Sequence, residues 1–288
     1  MAIGILIILY CFGFRASYFE LTCMRQKLGQ HFLKDEKVLE RITELVQAGN
    51  FETLIEIGPG HGELTKRLIT YNPQLKTSSS QLKIIAIERD KKLAEELRQK
   101  FVEEKNIYII EGNALETLPE VAENTKGKYA VIGNIPYYIT GFLLRTLGAL
   151  PKKPEIIILL IQKEVADRLL ATKGEMNRLA ASVQFWGKPE MILSVPPGAF
   201  SPPPKVHSAV IAITPEKKTS PISEEKYYKT VRLLFSQPRK TVLNNVSEEL
   251  SKEKGLVLLE KAGIDPQNRP QDLSVSEIIT LANVIFPE

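Results

Sequence analysis

The feature that most constrains this chain is an alternation beginning near Asp35. Short apolar runs (Thr53 to Ile57, Leu82 to Ile87, Ile107 to Ile110, Tyr129 to Ile132, Ile156 to Ile161) are separated by stretches of a different periodicity. Asp35 to Ala48 carries Val38, Leu39, Ile42, Leu45 and Val46 at helical spacing, with acids near its start. Gly-Pro-Gly-His-Gly-Glu-Leu opens a second helix, Asp90 to Glu104 reads as a third, another starts at Thr140, and Lys163 to Ala171 follows the last run. Strand alternating with helix predicts an α/β fold with a mostly parallel sheet covered on both faces.

After Gln184 the pattern changes. Met191 to Val195 and Val206 to Ile213 read as strands separated by a proline-rich loop too short for a crossover helix, so an antiparallel pair at the sheet edge is expected. Thr214 to Pro221 is a polar linker, and only helical patterns lie beyond it. The expected division is therefore an α/β domain over 24–214 and a small all-helical domain over 215–288. Residues 1–23 read as an extension outside the fold. Its apolar run, MAIGILIILYCFGF, falls short of the roughly 20 residues a spanning helix needs, and it has no preceding Lys or Arg and no clear small-residue cleavage site.

Cys11 and Cys23 are the only cysteines and the three histidines are scattered, which excludes a disulfide scaffold or a Cys/His metal centre. A net charge of +4 permits an acidic polymer as partner without requiring one.

Two junctions carry chemistry. Glu56-Ile57-Gly58-Pro59-Gly60-His61-Gly62 joins a strand to a helix, where glycines let the backbone approach a ligand at the carboxyl end of the sheet. The glycines alternate, unlike the G-x-G-x-x-G of dinucleotide binders. The next strand ends in Glu88, placed to accept from the two hydroxyls of a ribose; a tight turn beside a surface acid is the alternative. At the fourth strand, Val131-Ile132 runs into Gly133-Asn134-Ile135-Pro136-Tyr137-Tyr138. Gly, Asn and Pro are ordinary turn formers, so a turn is the plain reading of this stretch, though an amide, a proline and two aromatics at the lip of a buried strand call for a further reason.

Alternating glycines followed by a second-strand acid resemble the S-adenosyl-L-methionine-dependent methyltransferases, whose sheet is Rossmann-like. Asn134-Ile135-Pro136-Tyr137 resembles the N-x-P-Y form of the motif found in enzymes that methylate exocyclic amines of nucleobases. Further matches narrow the resemblance: Gly29-Gln30-His31-Phe32-Leu33, Gln162-Lys163-Glu164-Val165, Phe200-Ser201-Pro202-Pro203-Pro204-Lys205-Val206-His207-Ser208, and Arg239-Lys240-Thr241 with Asn244-Asn245 are similar to the ribosomal RNA adenine N6-dimethyltransferases. The ending GIDPQNRPQDLS resembles the branch acting on 16S rRNA more than the resistance branch acting on 23S rRNA. The resemblance runs from about Arg25 to Phe286.

It implies S-adenosyl-L-methionine as cofactor, held by Gln30, His31, Leu33, Gly58, Gly60, Glu88, Asn113 and Asn134. His31 stands where many members have Asn, and Asn113 where Asp is usual. Asn134, Pro136 and Tyr137 would form the catalytic motif. Carbonyl acceptors from the Asn134 side chain and the backbone near Ile135 hold both N–H bonds of adenine N6, and Tyr137 offers a stacking face. Phe200 would cover the other face of the base, unless it is a core residue. Lys205, Arg232, Arg239 and Lys240 are candidate phosphate contacts. The implied partner is 16S rRNA in the small ribosomal subunit or its precursor, met by a cytoplasmic monomer with no stable membrane partner and no metal. Two adjacent adenines near the 3′ end would be dimethylated. Other readings remain: a 23S rRNA enzyme, against which the ending argues; a ribosome-assembly factor without catalysis, which Asn113 favours and Asn134 disfavours; and a nicotinamide dehydrogenase, which the glycine spacing disfavours.

Overall fold

The computed structural model describes residues 31–71, 82–216 and 222–287. The expected extension 1–23 and Gln30 lie outside the described residues. The described chain divides into two compact units, one of 31–166 with 188–215 and the other of 167–187 with 216–287. Residues 167–187 thus belong with the C-terminal helices, so the division is not the single cut near 215 that the linker implied.

The first unit contains strands β2 (Thr53–Ile57), β3 (Lys83–Glu88), β4 (Ile107–Glu111), β5 (Tyr129–Asn134), β6 (Ile156–Gln162), β7 (Gly187–Val195) and β9 (Ser208–Pro215), in the sheet order β4-β3-β2-β5-β6-β9-β7. The pairs from β4 through β6 are parallel, and β9 runs antiparallel to β6. Every residue of β2 is buried, which explains its apolar reading apart from Thr53 and Glu56. On one face, Val38, Leu39, Ile42 and Val46 of α1 (Glu36–Gln47) and Leu64 and Leu68 of α2 (Glu63–Tyr71) share a core with Leu54, Ile84, Ala130 and Ile158. Asp35 caps α1 by accepting from the amides of Lys37 and Val38 at 2.9 and 3.1 Å. Helices α3 (Lys91–Lys100), α4 (Ala114–Asn124) and α5 (Thr140–Ala149) follow β3, β4 and β5, and α6 (Lys163–Leu169) follows β6.

Chain order reverses direction across the sheet between β2 and β5. Ligands bind at such a switch point, beyond the carboxyl ends of the strands. The two junctions read from the sequence sit there side by side. Ile57 pairs with Gly133, and a Cβ on Gly133 would lie 2.5 Å from the Ile57 carbonyl oxygen. Only glycine permits this approach. A separate antiparallel pair, β1 (Phe32–Leu33) with β8 (Phe200–Ser201), joins the segment before α1 to the proline-rich loop.

The second unit is helical, with α7 (Arg178–Gln184), α8 (Glu224–Leu234), α9 (Val242–Val246), α10 (Lys252–Ala262) and α11 (Val275–Ile285). Phe185 stacks on Tyr227 at 3.7 Å, and the Tyr227 hydroxyl donates to the Ala181 carbonyl at 2.8 Å. Lys173 pairs with Glu277 at 2.7 Å. Among the described residues no helix is long and apolar enough to cross a membrane.

Candidate active site

The glycine turn after β2 is held open by the strand beside it. Gly58, Gly60 and Gly62 have φ of +66°, +60° and +81°, the left-handed region in which a Cβ is strained. At Gly60 a Cβ would also come within 2.8 Å of the Phe32 ring. The Glu88 carboxylate, at the tip of β3, accepts from the Gly60 amide at 3.1 Å and from the Asp90 amide at 2.9 Å. Burial raises the Glu88 pKa, and these backbone amides work against that rise. The acid is thus no surface residue. Each of its oxygens holds one backbone donor and retains a lone pair for a hydroxyl.

The motif after β5 is tied to both neighbouring loops. Asn134 Nδ2 donates to the His31 carbonyl oxygen at 2.8 Å, and His31 Nδ1 lies 2.8 Å from the Pro202 carbonyl oxygen. Because a carbonyl only accepts, Nδ1 carries the proton in that contact. The His31 and Tyr137 rings stack at 6.0 Å, and the Tyr137 hydroxyl shares a hydrogen bond of 2.6 Å with Ser208 Oγ. Tyr137 opens a single 3-10 turn, Tyr137–Ile139, preceded by Pro136. A cleft of about 90 Å³ joins the two junctions, lined by His31, Leu33, Gly58, Gly60, Glu88, Asn134, Pro136 and Tyr137 among others. A larger hollow, about 890 Å³, opens by the amino ends of β2 and β3 and contains none of these residues.

Other residues picked out by sequence are not among those lining this cleft. Asn113 caps α4: its Oδ1 accepts from the Leu115 amide at 3.2 Å, its Nδ2 donates to Glu116 at 2.8 Å, and it is not among the residues lining the cleft. Phe200 is 5 % exposed and belongs to the core that holds Leu33 and Val195, the alternative the sequence left open for it. Lys205 is exposed in the loop after β8. In the helical unit Arg239 and Lys240 are exposed between α8 and α9, whereas Arg232, on α8, is half-buried. Their loop is organised by Asn245, which is fully buried. Its Oδ1 accepts from the Gln237 amide at 3.0 Å, and its Nδ2 donates to the carbonyls of Gln237, at 3.1 Å, and Thr241, at 3.0 Å.

Sequence reasoning gave no role to Glu56, which also lines the cleft. It is 1 % exposed and accepts from Thr65 Oγ1 at 2.6 Å. Burial lifts its pKa to about 7; the Thr65 hydroxyl opposes that rise, and the charges of Glu88 and Glu63 add to it. An acid inside an otherwise apolar strand was the available signal. Ser208 and Pro202 lie in a stretch that carries the resemblance, but their contacts could not be read from it, because they depend on the Tyr137 and His31 side chains meeting them across the fold.

Comparisons with known proteins place the chain in a family. The family described as Ribosomal RNA adenine dimethylase matches residues 22–286. A Dehalococcoides mccartyi protein named Ribosomal RNA small subunit methyltransferase A is 39% identical over 257 residues, covering 88% of this chain and 85% of its own. A protein of the same name from Nostoc sp. is 34% identical over 280 residues, covering 92% and 98%. Among solved structures, a dimethyladenosine transferase from Plasmodium falciparum superposes with a TM-score of 0.70 at 25% identity, covering 87% of this chain and 96% of that one. The 23S rRNA methyltransferase ErmE shares the fold, with a TM-score of 0.66 at 24% identity over 88% and 98% of the two chains. The chain belongs to the ribosomal RNA adenine dimethylase family, whose members are S-adenosylmethionine-dependent methyltransferases.

Proposed function

We propose that this protein dimethylates N6 of adenine in the 16S rRNA of the small ribosomal subunit or its precursor, acting on two adjacent adenines near the 3′ end. It would do so in the cytoplasm, as a monomer. The observation that carries the reading is the single cleft in which the Gly60–Glu88 contact and the Asn134–His31 contact stand together. The names of the relatives supply the small-subunit assignment.

The residues fit a nucleoside-bearing donor. Positive φ at Gly58 and Gly60 turns backbone toward the cleft without side chains, and Glu88 keeps acceptor capacity for ribose hydroxyls. His31, Leu33 and Asn134 complete that wall, and the buried Glu56 also lines the cleft. When bound, S-adenosyl-L-methionine supplies an electrophilic methyl group.

The remaining chemistry belongs to Asn134, Pro136 and Tyr137. Adenine N6 is a weak nucleophile because its lone pair is delocalised into the ring. With Nδ2 of Asn134 committed to the His31 carbonyl, its Oδ1 is the atom left to accept an N6–H bond. A second acceptor, the backbone near Ile135, takes the other N–H, and the lone pair turns out of conjugation. Pro136 sets the direction in which the chain leaves the strand. Tyr137, anchored by Ser208, presents its ring to the base. Fixed dipoles and positioning do the work, and the proton departs after attack, so no strong base is needed. Phe200 braces the β1–β8 wall from the core. Lys205, Arg239 and Lys240, with Arg232, contact phosphates and carry affinity rather than sequence choice.

The test is incubation with labelled donor and unmethylated small-subunit particles, against large-subunit particles, followed by nucleoside analysis. Dimethylated adenosine in 16S rRNA is expected. Label confined to 23S rRNA, or transfer to neither, overturns the reading.

A further inference from the structure

Among the described residues, four large apolar side chains of the sheet unit are conspicuously exposed: Val102, Tyr108, Tyr138 and Val206. Tyr108 is partly covered, with the Lys83 ammonium 4.4 Å from its ring centre. Two of the others are Tyr138, 43 % exposed and next in the chain to the cleft-lining Tyr137, and Val206, 45 % exposed and two residues before Ser208. The segments that carry them meet, because the residue before Tyr138 is hydrogen-bonded to the residue two after Val206 through Tyr137 and Ser208. The carbonyl of His207 is fixed in turn by the Lys163 amide at 3.0 Å.

The 3-10 turn explains why two adjacent tyrosines do different things. At about three residues per turn, successive side chains diverge by roughly 120°. Tyr137 is held between His31 and Ser208, and Tyr138 therefore looks away from that packing. Among the described residues the Tyr138 ring has no hydrogen bond and no ring contact. A partly exposed ring thus follows the cleft-lining Tyr137 in the chain, and Val206 is flanked by the exposed Lys205 and His207. A strand of RNA has a matching alternation of flat bases and negative phosphates.

We propose that Tyr138, with Val206, forms a second base subsite: it stacks the nucleotide flanking the target adenine while Tyr137 takes the adenine itself. The proposal rests on the rRNA reading given above. It concerns substrate capture and assigns Tyr138 no part in methyl transfer.

Tyr138→Ala and Tyr138→Phe separate this from other roles, using the full chain and unmethylated small-subunit particles. Loss of one base–aromatic stack weakens binding about 5- to 150-fold. KM for particles is therefore expected to rise by that factor in Tyr138→Ala. Single-turnover rate at saturation, donor affinity and the salt dependence of RNA binding should match the wild type, and Tyr138→Phe should restore KM. An unchanged KM in Tyr138→Ala overturns the subsite. So does a Phe variant as impaired as Ala, which would mean a hydrogen-bonding hydroxyl, or a flattened salt dependence, which would mean a phosphate contact. Absence of methylation by the wild-type protein would instead contradict the rRNA reading itself.

Discussion

Asn134 Nδ2 donates to the carbonyl oxygen of His31 at 2.8 Å, across a sequence separation of 103 residues. One bond thus joins the segment before α1 to the carboxyl end of β5 and fixes which way the amide faces. Replacing the amide by a carboxylate puts acceptor against acceptor. Asn134→Asp is expected to be less stable than Asn134→Ala at neutral pH, by about 1–3 kcal/mol. The carboxyl pKa is raised in that setting, so the deficit should shrink as pH falls and the protonated acid donates to His31. Thermal unfolding of both variants across pH checks this. Equal stability at every pH would mean that the contact contributes nothing.

Glu88 is engaged on both oxygens by backbone amides and still faces the cleft. Hydrogen bonds to charged groups are worth about 1.5–3 kcal/mol, so Glu88→Ala should weaken donor binding about 10- to 150-fold. Calorimetric titration with S-adenosyl-L-methionine measures it, with circular dichroism to confirm the fold. Unchanged affinity would remove Glu88 from the donor site.

Glu56 makes stability depend on pH with a defined sign. Its pKa rises from 4.5 to about 7 on folding, so between those values the folded state holds a proton the unfolded chain has lost. Stability attributable to this group therefore falls as pH rises through that window, by an amount on the order of 3 kcal/mol. Glu88 is shifted in the same direction and adds to the slope. Glu56→Gln keeps an acceptor for Thr65 and should flatten much of the decline. Urea unfolding at pH 5 and pH 8 compares the two proteins, and an identical decline in both would show that Glu56 ionises as freely as in the unfolded chain.

The phosphate role of Arg239 and Lys240 can be read from salt. Neutralising both should weaken RNA binding and reduce the slope of log K against log salt by about 0.7–0.9 per lost contact. Asn245→Ala, which removes the amide holding their loop, should lower that slope too while leaving both charges in place. A slope unaltered by the double neutralisation would assign the pair to contacts within the protein.

Much of this site was legible in the sequence because its parts are local. The glycine turn after β2, the acid ending β3 and the N-x-P-Y stretch after β5 all fall at strand ends, and parallel strands bring their carboxyl ends together. What was not legible depends on long-range contact. β1 and β8 are two residues each, too short for a periodicity, and exist only because they pair with one another. Pro119 interrupts the pattern of α4, which the sequence reading left out, although the helix absorbs it. Gly187 and Pro189 hid the first part of β7, where a proline is tolerated because the strand is at the sheet edge. Phe200 reads by resemblance as base cover, with a core residue as the lesser alternative, and its burial depends on packing that no local pattern carries.

The central claim is that the Asn134 amide acts on the adenine amine during transfer rather than merely turning the chain. Single-turnover methylation at saturating donor and RNA measures this most directly. Removing one preorganised polar contact to a reacting group costs about 10²- to 10³-fold in rate. Asn134→Ala is expected to lose at least that much while RNA affinity, which comes from dispersed phosphate contacts, stays near wild type. A near-normal single-turnover rate in the Asn134→Ala protein would contradict the account and leave the motif as a turn.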